Sequence, residues 1–139
     1  MLNPSTATAT ADDPTIRRCI AFAIDWGYGS LVVCNMFAWR STDPSVLPTL
    51  VDPVGPENDR WIAETAAASA LVVACWGATA ARYPALRSRA DQVLTVLRAQ
   101  RDVHVIRLTK SGHPEHPLYL PGKLRPVLYA ARIVNKEPA

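Results

Sequence analysis

The sequence predicts an α/β fold, three layers deep, with a short parallel sheet between helices, and three observations predict it. Short unbroken apolar runs at Leu31-Val32-Val33-Cys34 and Leu71-Val72-Val73-Ala74-Cys75-Trp76 have the pattern of strands covered on both faces. Segments with helical spacing alternate with them, the order of βα units joined by right-handed crossovers. The loops that follow the strands gather at one edge, the carboxyl edge at which open α/β sheets bind ligands. At 139 residues and 15.2 kDa the chain has the size of one domain, residues 1–139, with a core of its own.

The elements follow in order. Asn3-Pro4 reads as the exit from a buried strand, because proline fixes its own φ and disfavours helix in the residue before it. Only Met1 and Leu2 of that strand are present, so the first strand is read as truncated, the domain as N-terminally incomplete and the start as misplaced. An interior strand removed from a sheet leaves both neighbours with unpaired backbone and bare apolar surface, a cost that a marginally stable domain hardly absorbs.

Asp12-Asp13-Pro14 reads as a cap with proline in the first turn, and Ile16, Cys19, Ile20 and Ala23 recur with helical spacing, which predicts a helix from residue 14 to about 26. Gly27-Tyr28-Gly29 stops it, and the second strand follows at 31–34, ending at Asn35. Residues 36–56, rich in Pro, Ser, Thr and Asp, predict a long loop with one helical turn after Thr42. Pro56-Glu57-Asn58-Asp59 starts the next helix, and the third strand, 71–76, ends at Gly77. A basic amphipathic helix is expected at 84–100, with Leu86, Ala90, Val93, Leu94 and Leu97 inward and Arg87, Arg89, Arg98 and Arg101 mainly outward. Residues 103–108 alternate enough to form an edge strand, which delivers the Pro- and His-bearing loop 109–121.

Composition limits the function classes. Hydrophobic residues at 49% and charged residues at 19% exclude wholesale disorder, and no apolar run reaches the ~18 residues that span a bilayer. No leader-like segment precedes Asn3, and three cysteines without a Cys-x-x-Cys pair suit a reduced, cytoplasmic protein. Fifteen basic against twelve acidic side chains give +3 and a pI near 9.0, compatible with nucleic acid or nucleotide as partner. No membrane or obligate protein partner is implied. His113 and His116, three apart, form half of a zinc set, but Cys34 and Cys75 lie in apolar strands as core thiols, so no metal or other cofactor is expected.

Three loops carry chemistry, each just beyond a strand end: Asn3-Pro4-Ser5-Thr6, Asn35-Met36-Phe37 and His113-Pro114-Glu115-His116-Pro117-Leu118. An asparagine amide can orient a water or read the edge of a base, and a histidine can shuttle a proton or stabilise a developing anion. Asn-Pro and His-Pro steps also shape turns without further duty. Asn3 and His113 are the candidate catalytic pair. Ser5, Thr6, Asn35, Trp39, Asn58 and His116 are the candidate base or nucleotide contacts, with Trp39 the indole available for stacking. Arg17, Arg18, Arg40 and Lys110 are the candidate phosphate contacts, Arg17 and Arg18 helped by the positive end of the first helix.

The segments 2–8, 12–19, 52–59 and 113–121 together resemble a bacterial and phage family catalogued as domain of unknown function 1643, over nearly the whole chain. That resemblance implies kinship and no particular reaction. A more distant one is to the uracil-DNA glycosylase superfamily, in which Asn or Asp precedes Pro in the first motif, a following strand can end in Asn, and a late motif reads His-Pro-Ser-Pro-Leu. By that likeness the fold is glycosylase-like and Asn3 positions the attacking water. Asn35 would read the base edge, His113 stabilise the departing base, and Pro114, Pro117 and Leu118 shape a DNA-contacting loop. The chain departs from the pattern with Glu115-His116 in place of one serine and with Ser5 where Gly or Tyr is usual. The expected function is therefore that of a nucleobase- or nucleotide-binding protein, for which the glycosylase likeness implies hydrolysis of N-glycosidic bonds in DNA or modified nucleotides. The alternative is a non-catalytic binding module using the same pocket.

Overall fold

The structure, a computed structural model, describes residues 1–5, 10 and 13–130. Helix α1 spans Pro14–Asp25, α2 Asn58–Ala68 and α3 Pro84–Arg98, with strands β1 at Val72–Ala74, β2 at Val103–Val105 and β3 at Val127–Leu128. The fold is of the α/β class, with a small three-stranded sheet in the order β1-β2-β3. β1 and β2 run parallel with Val72 opposite Val103, while β2 and β3 run antiparallel with Val105 opposite Val127.

Local chemistry sets the helix ends as expected. Asp13 Oδ1 accepts the Ile16 N–H at 2.9 Å, and Pro14 occupies a first-turn position where the missing N–H costs nothing. At the other end Tyr28 N–H donates to Ala23 O and Gly27 N–H to Ile24 O, a Schellman pair that needs the left-handed φ of +84° at Gly27. The helical turn expected after Thr42 is a 3-10 helix at Pro44–Thr49, started by Asp43, whose carboxylate accepts the Ser45 N–H at 3.0 Å.

Alternation along the strands divides the core in two. Val72, Ala74, Val103 and Val105 join Leu86, Ala90, Val93 and Leu97 of α3 and Ile62 and Ala66 of α2. Val73, between Val72 and Ala74, and Ile106, just past Val105, turn the other way and meet Phe22 and Trp26 of α1, together with Leu120 and Leu124. The indole N–H of Trp26 donates to Leu124 O at 3.0 Å and closes this second core.

Four expectations are corrected. The sheet is mixed, because β3 adds an antiparallel edge. The strand read as an edge, 103–108, is therefore central, and it is shorter: past Val105 the chain folds back on itself, with Glu115 N–H donating to Arg107 O and a bridge between Leu108 and Pro114. The apolar run 31–34 forms no ladder with β1 among the described residues; its backbone pairing lies at its carboxyl end, with Met1 and Leu2. Arg89 faces inward and is 4% exposed, because it falls three after Leu86 and four before Val93, on the face that meets α2. No helix among the described residues is long and apolar enough to cross a membrane.

Candidate functional site

The predicted residues fall into two loop clusters, one where residues 1–5 meet residues 34–41 and one at the ends of β1 and β2. In the first, Leu2 is buried and its carbonyl accepts the Phe37 N–H at 3.0 Å, which fixes where Asn3 begins. The Asn3 amide nitrogen then donates to Ser41 O at 2.9 Å, Pro4 O at 3.1 Å and Trp39 O at 3.3 Å. Ser41 N–H returns a bond to Pro4 O, and Arg40 Nη1 donates to Ser5 O at 2.8 Å. Trp39 N–H is held from the other side by Pro53 O. Trp39 thus rides on a stitched segment with 49% of its surface exposed, and the Arg40 guanidinium lies on the same segment. Asn3, Ser5, Trp39 and Arg40 are brought together. Thr6 lies outside the described residues.

The second cluster caps the ends of β1 and β2. Gly77 N–H donates to Pro114 O at 2.9 Å, and a Cβ on Gly77 would stand 3.1 Å from the His116 Cβ, so the late loop is seated directly on the end of β1. His116 is half-buried, and its Nδ1 accepts the Leu118 N–H at 3.3 Å, starting a 3-10 turn at Pro117–Tyr119. Burial holds the His116 imidazole below its ordinary pKa; the Met1 ammonium adds to the fall and Asp13 opposes it. His113 belongs to a tight turn in which its carbonyl accepts the Thr109 N–H and its own N–H donates to Thr109 Oγ1, with Lys110 exposed at the tip. Arg107 and Glu115 close the base of that turn through two bonds of 2.6 and 3.2 Å, which lower the Glu115 pKa and raise that of Arg107.

The remaining predicted residues brace the frame. Asn58 donates both ways from α2, to Asn35 O at 2.9 Å and Met36 O at 3.1 Å, holding the chain where it leaves residues 31–34. Arg18 donates to Leu120 O and lies over the Phe22 ring, 4.8 Å from its centroid, so it ties α1 to the late loop, whereas Arg17 is exposed. Asn35 lines a cavity of about 110 Å³; neither this cavity nor a larger one of about 690 Å³ is lined by Asn3 or His113.

Cys19 and Cys75 are poor nucleophiles. Burial, with Cys75 and Asp13 adding to it, pushes the Cys19 thiol up to about 12, and burial raises Cys75 as well. Among the described residues no group of three or more His, Cys, Asp or Glu side chains is placed to hold a metal ion. The residue that sequence reasoning missed is Arg89, which donates from α3 to Met36 O and to Asp59. Its signal was present in its spacing from Leu86 and Val93, but a charged side chain on an amphipathic helix is read outward by default.

The family described as protein of unknown function (DUF1643) matches residues 1–118. The chain belongs to that family. The matched span takes in both loop clusters and every predicted site residue, and it ends within the 3-10 turn that His116 starts, ahead of β3. No curated protein and no solved structure matches this DUF1643 chain.

Proposed function

We propose that the protein binds a nucleobase-bearing ligand, a nucleotide or a nucleic-acid segment, at the carboxyl edge of the sheet. The observation that carries this reading is the half-exposed Trp39, fixed beside Arg40 on a segment that Asn3 stitches in place. A held indole offers a stacking face at little ordering cost, and Arg40, the next residue in the chain, adds positive charge to the same segment. The net charge of +3 acts in the same sense.

A glycosylase-like reaction at this edge would need Asn3 to steer water and His113 to meet the departing base. The Asn3 amide nitrogen is committed to three backbone carbonyls, which favours binding over hydrolysis as the primary activity. Fluorescence anisotropy of labelled single-stranded oligonucleotides and mononucleotides, titrated with the whole chain, tests the reading. Binding should weaken with salt, and Trp39→Ala should lower affinity by about tenfold, the scale of one lost base–aromatic stack. No binding at low salt, or binding indifferent to Trp39→Ala, overturns it. Release of free base from oligonucleotides with damaged bases, abolished by Asn3→Ala and by His113→Ala in folded protein, would establish the hydrolytic alternative instead.

A further inference from the structure

Gly77, just past the end of β1, makes room for an imidazole. A Cβ there would stand 3.1 Å from the His116 Cβ and 3.7 and 3.8 Å from its Cδ2 and Cγ, so the Cδ2 edge of the ring lies along a residue that has no side chain. The backbone holds the ring in that place: Pro114 O accepts the Gly77 N–H at 2.9 Å, and His116 Nδ1 accepts the Leu118 N–H at 3.3 Å. Cys75 Sγ, between β1 and Gly77, donates to Met1 Sδ at 3.2 Å, which brings the chain that leads into Asn3 against the same end of the strand.

The bond from Leu118 decides which ring nitrogen bears the proton. A backbone N–H can only donate, so Nδ1 is bare and the proton of the neutral imidazole sits on Nε2. Burial, by holding the ring's pKa low, keeps this neutral form in place at neutral pH. Nε2–H meets no hydrogen-bond partner among the described residues. Nor is it closed off, since the side-chain polar atoms among those residues that are sealed from solvent without a partner are Arg18 Nε, Trp76 Nε1 and His104 Nδ1. His116 thus offers an oriented, uncharged donor at the carboxyl end of a parallel strand, the end at which α/β sheets hold ligands.

We infer that His116 reads a carbonyl oxygen of the bound base through Nε2–H, and that the protein prefers bases that carry such an oxygen, such as thymine, to adenine, which has none. This rests on the reading of the ligand as nucleobase-bearing and adds to it a polarity that Trp39 cannot supply, because an indole face stacks on any base. An uncharged donor suits a carbonyl, whereas a phosphate is better served by a guanidinium or an ammonium, which brings charge as well as hydrogen bonds. An amino group in the place of the carbonyl sets donor against donor and leaves Nε2–H unpaired on binding.

The test measures anisotropy of labelled oligo(dT) and oligo(dA) of equal length with the whole chain and its His116→Asn and His116→Gln variants, each checked for folding by its thermal melt. Asn keeps an oxygen near the place of Nδ1 and loses the donor at Nε2, whereas Gln sets an amide donor near Nε2 and loses the cap on Leu118. The parent should bind oligo(dT) about fivefold more tightly than oligo(dA), the worth of one hydrogen bond between neutral groups, with His116→Asn abolishing the preference and His116→Gln keeping it. A purely structural histidine gives the reverse order, His116→Asn like the parent and His116→Gln impaired, and overturns the inference. Equal binding of the two oligonucleotides by the parent overturns it as well. Proton–nitrogen correlation spectra of the parent give a check that needs no substitution: Nε2 of His116 should bear the proton and shift on addition of oligo(dT), and an unmoved Nε2 refutes the contact. Failure of the parent to bind either oligonucleotide removes the nucleobase reading and this inference with it, whereas binding that still depends on salt and Trp39 but not on His116 removes this inference alone.

Discussion

Arg89 and Asn58 donate to one acceptor, the Met36 carbonyl oxygen, at 2.9 and 3.1 Å. They come from different helices, so this single peptide group holds α2, α3 and the exit from residues 31–34 in one arrangement. Arg89 also reaches Asp59 at 2.6 Å, and with the arginine 4% exposed, that carboxylate is its charge partner. Asp59→Ala leaves a buried cation uncompensated and is expected to destabilise the protein by about 1–3 kcal/mol. Arg89→Met removes the cation while Asn58 still serves the Met36 carbonyl, and should cost less. Urea denaturation of the two variants decides the order; a larger loss for Arg89→Met means that the guanidinium bonds outweigh the burial of charge.

This same junction separates what was legible in the sequence from what was not. The caps at Asp13 and Gly27 act within one helical turn, so the residues that specify them are neighbours in the chain, and the ends of α1 fell where the sequence placed them. The seating of the late loop is different: Gly77 and His116 are far apart in sequence, and nothing local to either announces their contact. β3 escaped for a third reason, since two residues are too few to carry a periodicity. Asn3 was legible as a residue of consequence, but whether its amide would face a ligand or the backbone depended on Trp39 and Ser41, which only the fold brings near.

Gly77 has φ +89° and ψ 173°, a region that only glycine enters freely. Gly77→Ala is expected to destabilise the protein by about 1–3 kcal/mol from backbone strain alone. The new methyl would also press on His116, which a Cβ meets at 3.1 Å. Urea denaturation gives the loss. A chemical-shift map should show the disturbance reaching residues 114–118, and a neutral substitution confined to residue 77 would mean that the late loop is not seated there.

His116 makes stability depend on pH, and the sign follows from its hydrogen bond. Nδ1 accepts the Leu118 N–H, so it must carry no proton; protonation would set a donor against a donor. Burial and the Met1 ammonium also disfavour the imidazolium, which lowers the folded-state pKa below its ordinary 6.5. Between that lowered value and 6.5 the unfolded chain binds more protons than the folded one, so stability rises with pH. The contribution is fully present above about 6.5 and is lost as pH falls from there through the folded pKa. Asn offers an oxygen where Nδ1 stood and does not titrate, so His116→Asn should keep the cap at Leu118 while flattening the decline in Tm from neutral to mildly acidic pH. Thermal melts of both proteins across that window check it. Parallel curves, with His116→Asn falling as steeply as the parent, would show that the acid sensitivity belongs to other groups.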